Sequence, residues 1–411
     1  MGNHDEESSP LKIIDDPFCS MSRRMEALEA ILSERTILGI RKSSGEKKID
    51  FHLHSNYSDG FWTPIGLFLA AFRRGMDFIS LTDHDCFDGI EEGFEARNLI
   101  KRITGKEIAF IPGIEFSTTF SFLGEQMEEV HILGYFPSKN FDEFGLYLTK
   151  IDIYSRAYVE AFQKCRVLRI YEMVKKFNEE LPPRKGGKLL ELSKIAEPIS
   201  LRTAKRGLRG SVSPGRLLSC TGLYEVFYLN RSGRIDEISD EIFPKAYLAK
   251  LNDFIEPRDS PHNLMVKYFG NQQPSAKVGY IGKTEGPKWA VQLIRQMGGI
   301  PVLAHPILYP ELLEALLKEL LPVGLLGVEL ISSNSAKSDL ERIREMDQLV
   351  RRSYPDLVVT AGSDCHGHSA DGELDYTPNN PMGLSRDFED LLMKHMDRMT
   401  RLFNQGCVGV S

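Results

Sequence analysis

The hydrophobic positions along the chain fall into short apolar runs separated by longer amphipathic stretches. Seven runs have the composition of strands and are bounded by polar or turn residues. They are Ile49–His54, Phe78–His84, Ile108–Phe116, Val130–Phe136, Ile300–His305, Gly327–Ile331 and Leu357–Ser363. Because strands that alternate with helices are typical of parallel α/β folds, the pattern predicts an α/β barrel of seven strands.

Helix signals lie between these runs. Thr63-Pro64 supplies an N-cap and a first-turn proline for a helix that runs to about Arg74, and Gly75 supplies its end. Further helices are predicted over Arg23–Glu34, about Tyr154–Leu181, Pro287–Met297, Pro310–Leu320 and Ala336–Arg352.

One connection is too short to contain a crossover helix. Only about a dozen residues separate Phe116 from Val130, and a parallel connection needs that many or more plus its helix. We therefore expect an antiparallel hairpin, so that the fourth strand begins at the rim where the third strand ends.

The segments outside this pattern define the predicted domain organisation. Residues 1–47 form an N-terminal extension, because an acidic start leads into one helix and a basic linker. The barrel occupies residues 48–384, with an inserted subdomain at about 182–262 where no clear period is visible. Residues 385–411 form a C-terminal helix and tail.

Residues able to bind metal ions gather at the ends of the predicted strands, where barrel enzymes place their active sites. They are six histidines and three carboxylates, His52, His54, Asp59, His84, Glu115, His131, His305, Asp364 and His366. Any one of them alone would be an ordinary core or surface residue. Imidazole suits Zn, Fe and Mn, and carboxylates bridge clustered cations. Nine donors exceed the coordination number of one ion, so two or three divalent metal ions are expected.

Charge and cysteine usage restrict the partners. Lys+Arg 51 against Asp+Glu 58 gives a net charge of −7, which disfavours binding to long duplex nucleic acid but leaves small phosphorylated ligands and short oligonucleotides possible.

The six cysteines are scattered without a CxxC pair, as expected in the reducing cytoplasm. The most apolar stretch, residues 311–331, carries several charges, so no membrane span is expected. The acidic N-terminus does not read as a secretory signal.

The candidate ligands lie in motifs that appear in a characteristic order over about residues 49–370. The motifs are DFHLHSNYSDG, FISLTDHDCFDGIEEG, PGIEFS, VHILGYF, PVLAHP, GVEL and AGSDCHG. Together they resemble the PHP (polymerase and histidinol phosphatase) domain proteins, nearest the ribonuclease AM and nucleoside 3′,5′-bisphosphate phosphatase branch. The resemblance implies a distorted seven-stranded TIM-like barrel that holds up to three Mn, Fe or Zn ions, with all nine candidate residues at metal positions.

The resemblance also implies substrate-binding residues. Arg166 and Arg169 lie in a helix that resembles the family's RxxRxxxMVxKLNE segment, whose arginines lie near the phosphate. Arg216 lies in a stretch that resembles the family's GRPHIA motif, but Leu218 stands where the family has a histidine. The ordinary alternative for Arg166 and Arg169 is a solvated helix face.

These features predict a metal-dependent phosphoesterase that attacks phosphate esters with metal-bound hydroxide, acting on nucleotide phosphates or short RNA 5′ ends. Glu115 and Asp364 are the predicted catalytic carboxylates, with Glu115 as the bridging ligand, and Asp85 is expected to orient a ligand imidazole. The alternatives are a phosphatase similar to histidinol phosphatase and a metal-binding regulatory protein of weak activity, which the loss of the family histidine at Leu218 motivates.

Overall fold

A seven-stranded sheet, curved into a nearly closed barrel, lies at the centre of the molecule. The computed structural model describes residues 10–15, 19–34, 48–58, 60, 62–122, 125–159, 176, 285–332, 340–367, 382, 395, 398–399 and 401–403. The strands are β1 (Ile49–Leu53), β2 (Phe78–Leu81), β3 (Ala109–Phe122), β4 (Glu125–Tyr135), β5 (Ile300–Leu303), β6 (Gly327–Ser332) and β7 (Val358–Gly362), which neighbour one another in chain order. The predicted barrel class and strand number are confirmed.

The pairing of strands follows from the lengths of their connections. β1, β2 and β3 are parallel, as are β5, β6 and β7, whereas β4 is antiparallel to both of its neighbours. The predicted hairpin between β3 and β4 is confirmed. Both of its strands are longer than expected, because pairing continues to Phe122 and Glu125, through residues that the sequence pattern assigned to the connection.

The barrel closes irregularly between its first and last strands. Leu53 and Cys365 form an isolated parallel bridge, and the backbone N–H of His54 donates to the carbonyl of Cys365 at 3.0 Å. β5 and β7 end earlier than predicted, because the backbone turns to positive φ at His305 (26°) and Asp364 (53°). Both residues are predicted metal ligands, so the strand ends lead the chain directly into the site.

Helices cover the outside of the barrel. They are α1 (Pro10–Asp15), α2 (Met21–Ser33), α3 (Pro64–Arg74), α4 (Ile90–Thr104), α5 (Phe141–Thr149), α6 (Pro287–Met297), α7 (Leu313–Leu320) and α8 (Leu340–Ser353). The caps of α3 are as predicted: the Thr63 hydroxyl accepts the Gly66 N–H at 3.1 Å, and Gly75 ends the helix at φ 69°.

Three predicted helices have different bounds or lie partly outside the described residues. The segment that begins at Pro310 forms a 3-10 turn, Pro310–Leu312, before α7. Residues 153–159 are helical, and of the rest of the predicted Tyr154–Leu181 helix the structure describes only residue 176. The predicted start of α8, residues 336–339, is also outside the described part.

The N-terminal helices pack against the barrel's outer helices. Arg24 of α2 and Glu92 of α4 are both buried and form an ion pair, with Nε to Oε1 at 3.1 Å and Nη2 to Oε2 at 2.5 Å. The Thr63 hydroxyl donates to the Ile14 carbonyl at 2.7 Å, which joins the last turn of α1 to the start of α3. The predicted insertion at 182–262 lies outside the described residues.

A segment near the C-terminus contacts the core. The Phe403 ring lies 5.1 Å from that of Phe51 on β1 and 5.5 Å from that of Tyr135 on β4. Among the described helices, none has the length and apolar character needed to cross a lipid bilayer.

Candidate metal centre

Eight of the nine predicted metal ligands lie in the described part of the chain, and the fold brings all eight together. His52 is the second-last residue of β1, and the other predicted ligands of the parallel strands follow the carboxyl ends of β1, β2, β5 and β7. Glu115 and His131 come from the β3–β4 hairpin. The eight residues are His52, His54, His84, Glu115, His131, His305, Asp364 and His366. The ninth, Asp59, lies outside the described residues.

Glu115 lies at the centre of this cluster. Its carboxylate is fully buried, and its two oxygens contact five imidazoles from β1, from the ends of β2 and β5, and from β4. Oε2 contacts one set of nitrogens and Oε1 another. The contacts of Oε2 are His52 Nε2 at 3.1 Å, His54 Nε2 at 3.1 Å and His84 Nδ1 at 3.3 Å, and those of Oε1 are His131 Nδ1 at 2.9 Å and His305 Nε2 at 3.0 Å. Glu115 therefore contacts nitrogen donors with both of its oxygens, an arrangement that could hold cations on either side of the carboxylate.

Asp364 closes the side of the cluster next to β1. Its Oδ1 lies 3.0 Å from His54 Nε2, 3.5 Å from His52 Nε2 and 3.9 Å from His366 Nδ1. The His54 ring stacks between those of His366 (4.5 Å) and His84 (4.6 Å). Of the DxH residues after β7, Asp364 thus contacts His54 Nε2 and His366 stacks on the His54 ring.

The donor atoms form three overlapping groups, each compact enough to hold one cation. In each group the donor atoms lie within 4.8 Å of one another, and the groups share His54, His84 and Glu115. The groups are His54, His84 and His366; His52, His54, Glu115 and Asp364; and His84, Glu115 and His131. Shared donors are typical of clustered ions.

The electrostatics of the cluster follow from burying charged groups together. Burial opposes ionisation of Glu115, but the imidazoles of His52 and His84 outweigh it and hold the Glu115 pKa well below its usual value. Burial likewise disfavours a charged His52, yet the carboxylates of Glu115 and Glu329 raise the His52 pKa well above its ordinary range. The pKa of Asp364 is lowered by His52 and His366 against the effect of its burial. The buried carboxylates therefore stabilise positive charge on the groups beside them.

The residues fit a metal centre by a second criterion. Several buried side-chain atoms of the described chain form no regular hydrogen bond; His52 Nε2, Glu115 Oε2 and His305 Nδ1 are among them, although the first two are in ion-pair contact. A buried polar atom without a hydrogen bond costs about 1–3 kcal/mol. His52 Nε2 and Glu115 Oε2 face each other at 3.1 Å, so a bound cation would satisfy both atoms at once.

Backbone strain is concentrated at the same place. In the described chain, positive φ outside glycine occurs at Asp85 (55°), His305 (26°) and Asp364 (53°). Such conformations cost about 1–3 kcal/mol each and persist where the surroundings enforce them. All three residues are predicted ligands or the neighbour of one.

Three buried carboxylates that sequence reasoning did not assign support the ligands. Glu329 on β6 places both oxygens 3.1 Å from His52 Nδ1. Asp50 accepts the backbone N–H groups of His52 (3.3 Å) and Ser363 (2.8 Å). The available signal was that all three acidic residues lie in motifs of the family resemblance, DFHLHSNYSDG, FISLTDHDCFDGIEEG and GVEL, without a role assigned to them.

Asp83 is the third of these carboxylates and fixes the loop after β1. It accepts the Ser55 N–H at 2.7 Å, the Ser55 hydroxyl at 2.6 Å and the Ser58 hydroxyl at 2.7 Å. Burial raises the Asp83 pKa despite these hydrogen bonds. Ser58 in turn lies 3.5 Å from His54 Nδ1, so Asp83 links this loop to a predicted ligand.

Asp85 was expected to orient an imidazole. Its Oδ1 accepts the backbone N–H of Ser117 at 3.0 Å, and the Ser117 hydroxyl lies 3.3 Å from His84 Nδ1. Ser117 therefore contacts both Asp85 and His84, and the orienting role of Asp85 stays a prediction.

A cysteine within the last motif and a histidine outside the motifs have other surroundings. Cys365, expected to point away from the ligands, is buried in the apolar core, where burial raises its pKa to about 12. His395, which has no supporting motif in the sequence, bonds Asp347 Oδ1 of α8 at 2.7 Å. Arg166, Arg169, Arg216 and Leu218 lie outside the described residues, and the predictions about them stay predictions.

Comparison with known sequences agrees with the motifs. Residues 50–193 match the family model described as PHP domain. A 5′-3′ exoribonuclease of Haemophilus influenzae is 35% identical over 99 residues, which are 24% of this chain and 30% of that protein. A 3′,5′-nucleoside bisphosphate phosphatase of Chromobacterium violaceum is 35% identical over 86 residues, 21% of this chain and 26% of that protein. The matched region spans less than a third of the length of these curated relatives.

Comparison with solved structures agrees with the fold. A structure from Bifidobacterium adolescentis described as a metal-dependent phosphoesterase aligns over 85% of this chain and 96% of its own, with a TM-score of 0.50. The two sequences are 17% identical, so this similarity concerns the fold alone.

Proposed function

We propose, from the PHP domain that residues 50–193 carry and from the donor cluster at its strand ends, that this chain is a metal-dependent phosphoesterase. The observation that carries the proposal is the contact of one buried carboxylate, Glu115, with five imidazoles at 2.9–3.3 Å. A carboxylate shared between two groups of nitrogen donors suits a centre with more than one cation.

The cofactor would be two or three ions of Mn, Fe or Zn, held by the nine predicted ligands. When bound, such ions supply activation of a water molecule and neutralisation of charge on the phosphoryl oxygens. The mixed nitrogen and oxygen donors support this choice, since imidazole suits these metals better than Mg or Ca.

The chain's own residues would perform the positioning. Glu115 would hold the two halves of the cluster at a fixed separation through its two oxygens, and Asp364 would complete the half next to His54. The backbone strain at His305 and Asp364 would keep both side chains aimed into the site. Fixed donors need little reorganisation as charge develops on the phosphoryl group.

The substrate class would be nucleotide phosphates or short RNA 5′ ends. The names of the sequence relatives, an exoribonuclease and a nucleoside bisphosphate phosphatase, support it. Arg169 and Arg216 would neutralise the substrate phosphate, and Arg166 would help through bidentate contacts. The family resemblance implies that the helix arginines lie near the phosphate. A net charge of −7 disfavours long duplexes as partners. We place the chain in the cytoplasm on its scattered cysteines.

A second candidate function rests on Leu218. The residue replaces a histidine expected near the substrate, which favours a metal-binding regulatory protein with weak turnover. If the chain is a phosphatase, histidinol phosphate is the alternative substrate.

The test is phosphate or mononucleotide release by the full-length Mn²⁺-loaded protein. The panel contains a nucleoside 3′,5′-bisphosphate, a 5′-phosphorylated oligoribonucleotide and histidinol phosphate. We expect turnover on a nucleotide substrate that chelation abolishes. His52→Ala and Asp364→Ala should each lower it at least about 100-fold, because losing a ligand costs more than the 10–100-fold typical of outer partners.

His395→Ala is the matched control, since it removes a buried histidine that lies outside the cluster and pairs with Asp347. It should keep wild-type turnover. Full activity after chelation, or in the two ligand variants, would contradict the proposal. Metal binding without turnover on any substrate would favour the regulatory alternative, and turnover confined to histidinol phosphate would favour that phosphatase.

A further inference from the structure

Glu329 is a buried carboxylate in an otherwise apolar strand. Its neighbours on β6, Val328 and Leu330, belong to the hydrophobic core, and alternation along the strand turns Glu329 to the opposite face. Its side chain is fully buried there. Burying a carboxylate is costly unless its oxygens are used.

Both oxygens of Glu329 are used, and both contacts involve proposed metal ligands. Oε1 and Oε2 each lie 3.1 Å from His52 Nδ1, and Oε2 accepts the backbone N–H of His305 at 3.1 Å. The second nitrogen of His52, Nε2, faces Glu115 Oε2 at 3.1 Å. The imidazole is therefore held between two carboxylates, one on each ring nitrogen.

The two ring nitrogens have different tasks in this arrangement. A carboxylate can only accept hydrogen bonds, so the contact with Glu329 keeps the proton on Nδ1. In the neutral ring the lone pair then lies on Nε2, the atom that points into the cluster.

The close approach of these side chains depends on glycine at position 362 of β7. A Cβ at Gly362 would lie 2.2 Å from the His52 Cβ and 2.6 Å from Glu329 Oε1. Because β6 pairs with β7 and β7 adjoins β1, the missing side chain opens the path along which Glu329 reaches His52.

We infer that Glu329 is a positioning residue of the metal centre, which sets the tautomer and orientation of His52 and fixes the backbone that carries His305. This inference rests on the proposed function. It predicts that Glu329 affects metal affinity without being a ligand itself.

The experiment measures Mn²⁺ affinity by calorimetric titration of the chelator-stripped full-length protein. Glu329→Gln should weaken binding by about 10–100-fold, the usual effect of removing an outer partner of a ligand imidazole. Glu329→Asp keeps an acceptor-only group and should recover part of the loss. Thr360→Val is the control, because Thr360 is buried and is the register partner of Glu329 on β7, and it should leave affinity unchanged.

The outcomes separate the two ideas. If the wild type binds Mn²⁺ and Glu329→Gln binds it equally well, the role of Glu329 is overturned and the proposed function stands. If the wild type binds no Mn²⁺, both are overturned. If Glu329→Gln does not fold, nitrogen NMR of ¹⁵N-histidine-labelled wild type with Zn²⁺ decides: a proton on His52 Nδ1 with Nε2 bound supports the inference, and binding through Nδ1 overturns it.

Discussion

Gly362 lies where side chains from three strands converge. Glu329 of β6, His52 of β1 and Gly362 of β7 lie so close together that a Cβ at position 362 would clash with both side chains. Its backbone conformation is not the reason for glycine here, since the positive-φ glycines of the described chain are found elsewhere. At the residue scale, the site thus requires small size as well as donor chemistry.

Gly362→Ala should destabilise the protein by about 1–3 kcal/mol, the usual cost of overpacking a buried site. It should also weaken Mn²⁺ binding, because His52 and Glu329 would be pushed apart. Urea denaturation of the metal-free protein and calorimetric titration measure the two effects.

The matched control is Gly145→Ala in α5, where an added Cβ meets nothing within 4 Å. Alanine in a helix interior should stabilise it by about 0.5–1 kcal/mol. Equal changes in unfolding free energy for Gly362→Ala and Gly145→Ala would contradict the predicted crowding at Gly362.

At the scale of elements, α2 is joined to α4 by one buried and one exposed ion pair. Arg24 and Glu92 are buried, and Glu92 Oε2 also accepts the Tyr57 hydroxyl at 3.3 Å. Arg102 and Glu29 pair at 3.4 Å with both side chains more than half exposed. Tyr57 lies in the loop after β1, so the buried pair connects the N-terminal helices with the loop that adjoins the metal cluster.

Arg24→Met should cost about 3–5 kcal/mol of unfolding free energy, because Glu92 would be left as a buried charge without its cation. The double substitution Arg24→Met with Glu92→Leu should recover much of that loss. Urea denaturation of the three proteins measures the coupling.

Arg102→Ala removes the exposed pair between the same two helices and should change stability by about 1 kcal/mol at most. A similar effect for Arg24→Met and Arg102→Ala would contradict the difference between the buried and the exposed pair.

At the scale of the whole molecule, the donor cluster joins distant parts of the chain. The predicted ligands within the described residues run from His52 to His366 and come from β1, β3 and β4 and from the segments after β1, β2, β5 and β7. The barrel closes between β1 and β7 beside the same ligands, through the Leu53–Cys365 bridge. Bound metal would therefore act as a cross-link at the irregular closure of the barrel.

Removing metal should lower the thermal stability of the full-length protein. A ligand present at about 100 times its Kd stabilises the folded state by roughly 2.7 kcal/mol, and each further independent ion adds to this. Scanning calorimetry before and after chelation, and after Mn²⁺ is restored, measures the effect. An unchanged Tm after complete metal removal would contradict the cross-linking role.

Much of the architecture was predictable from local features of the sequence. Hydrophobic periodicity marked all seven strands, the caps at Thr63 and Gly75 marked α3, and the short connection after Phe116 required the β3–β4 hairpin. Such features depend on residues near one another in the chain. Periodicity, cap residues and connection length are therefore sufficient to predict them.

The donor set was also visible in the sequence, because histidine and carboxylate side chains carry their metal chemistry wherever they lie and the strand ends bring them to one end of a barrel. What only the tertiary structure decided were the pairings between distant segments: Glu329 with His52 across 277 residues, and Arg24 with Glu92 across 68. These depend on strand register and helix packing. No local pattern encodes them, since a buried acidic residue has the same sequence signature whichever partner the fold places beside it.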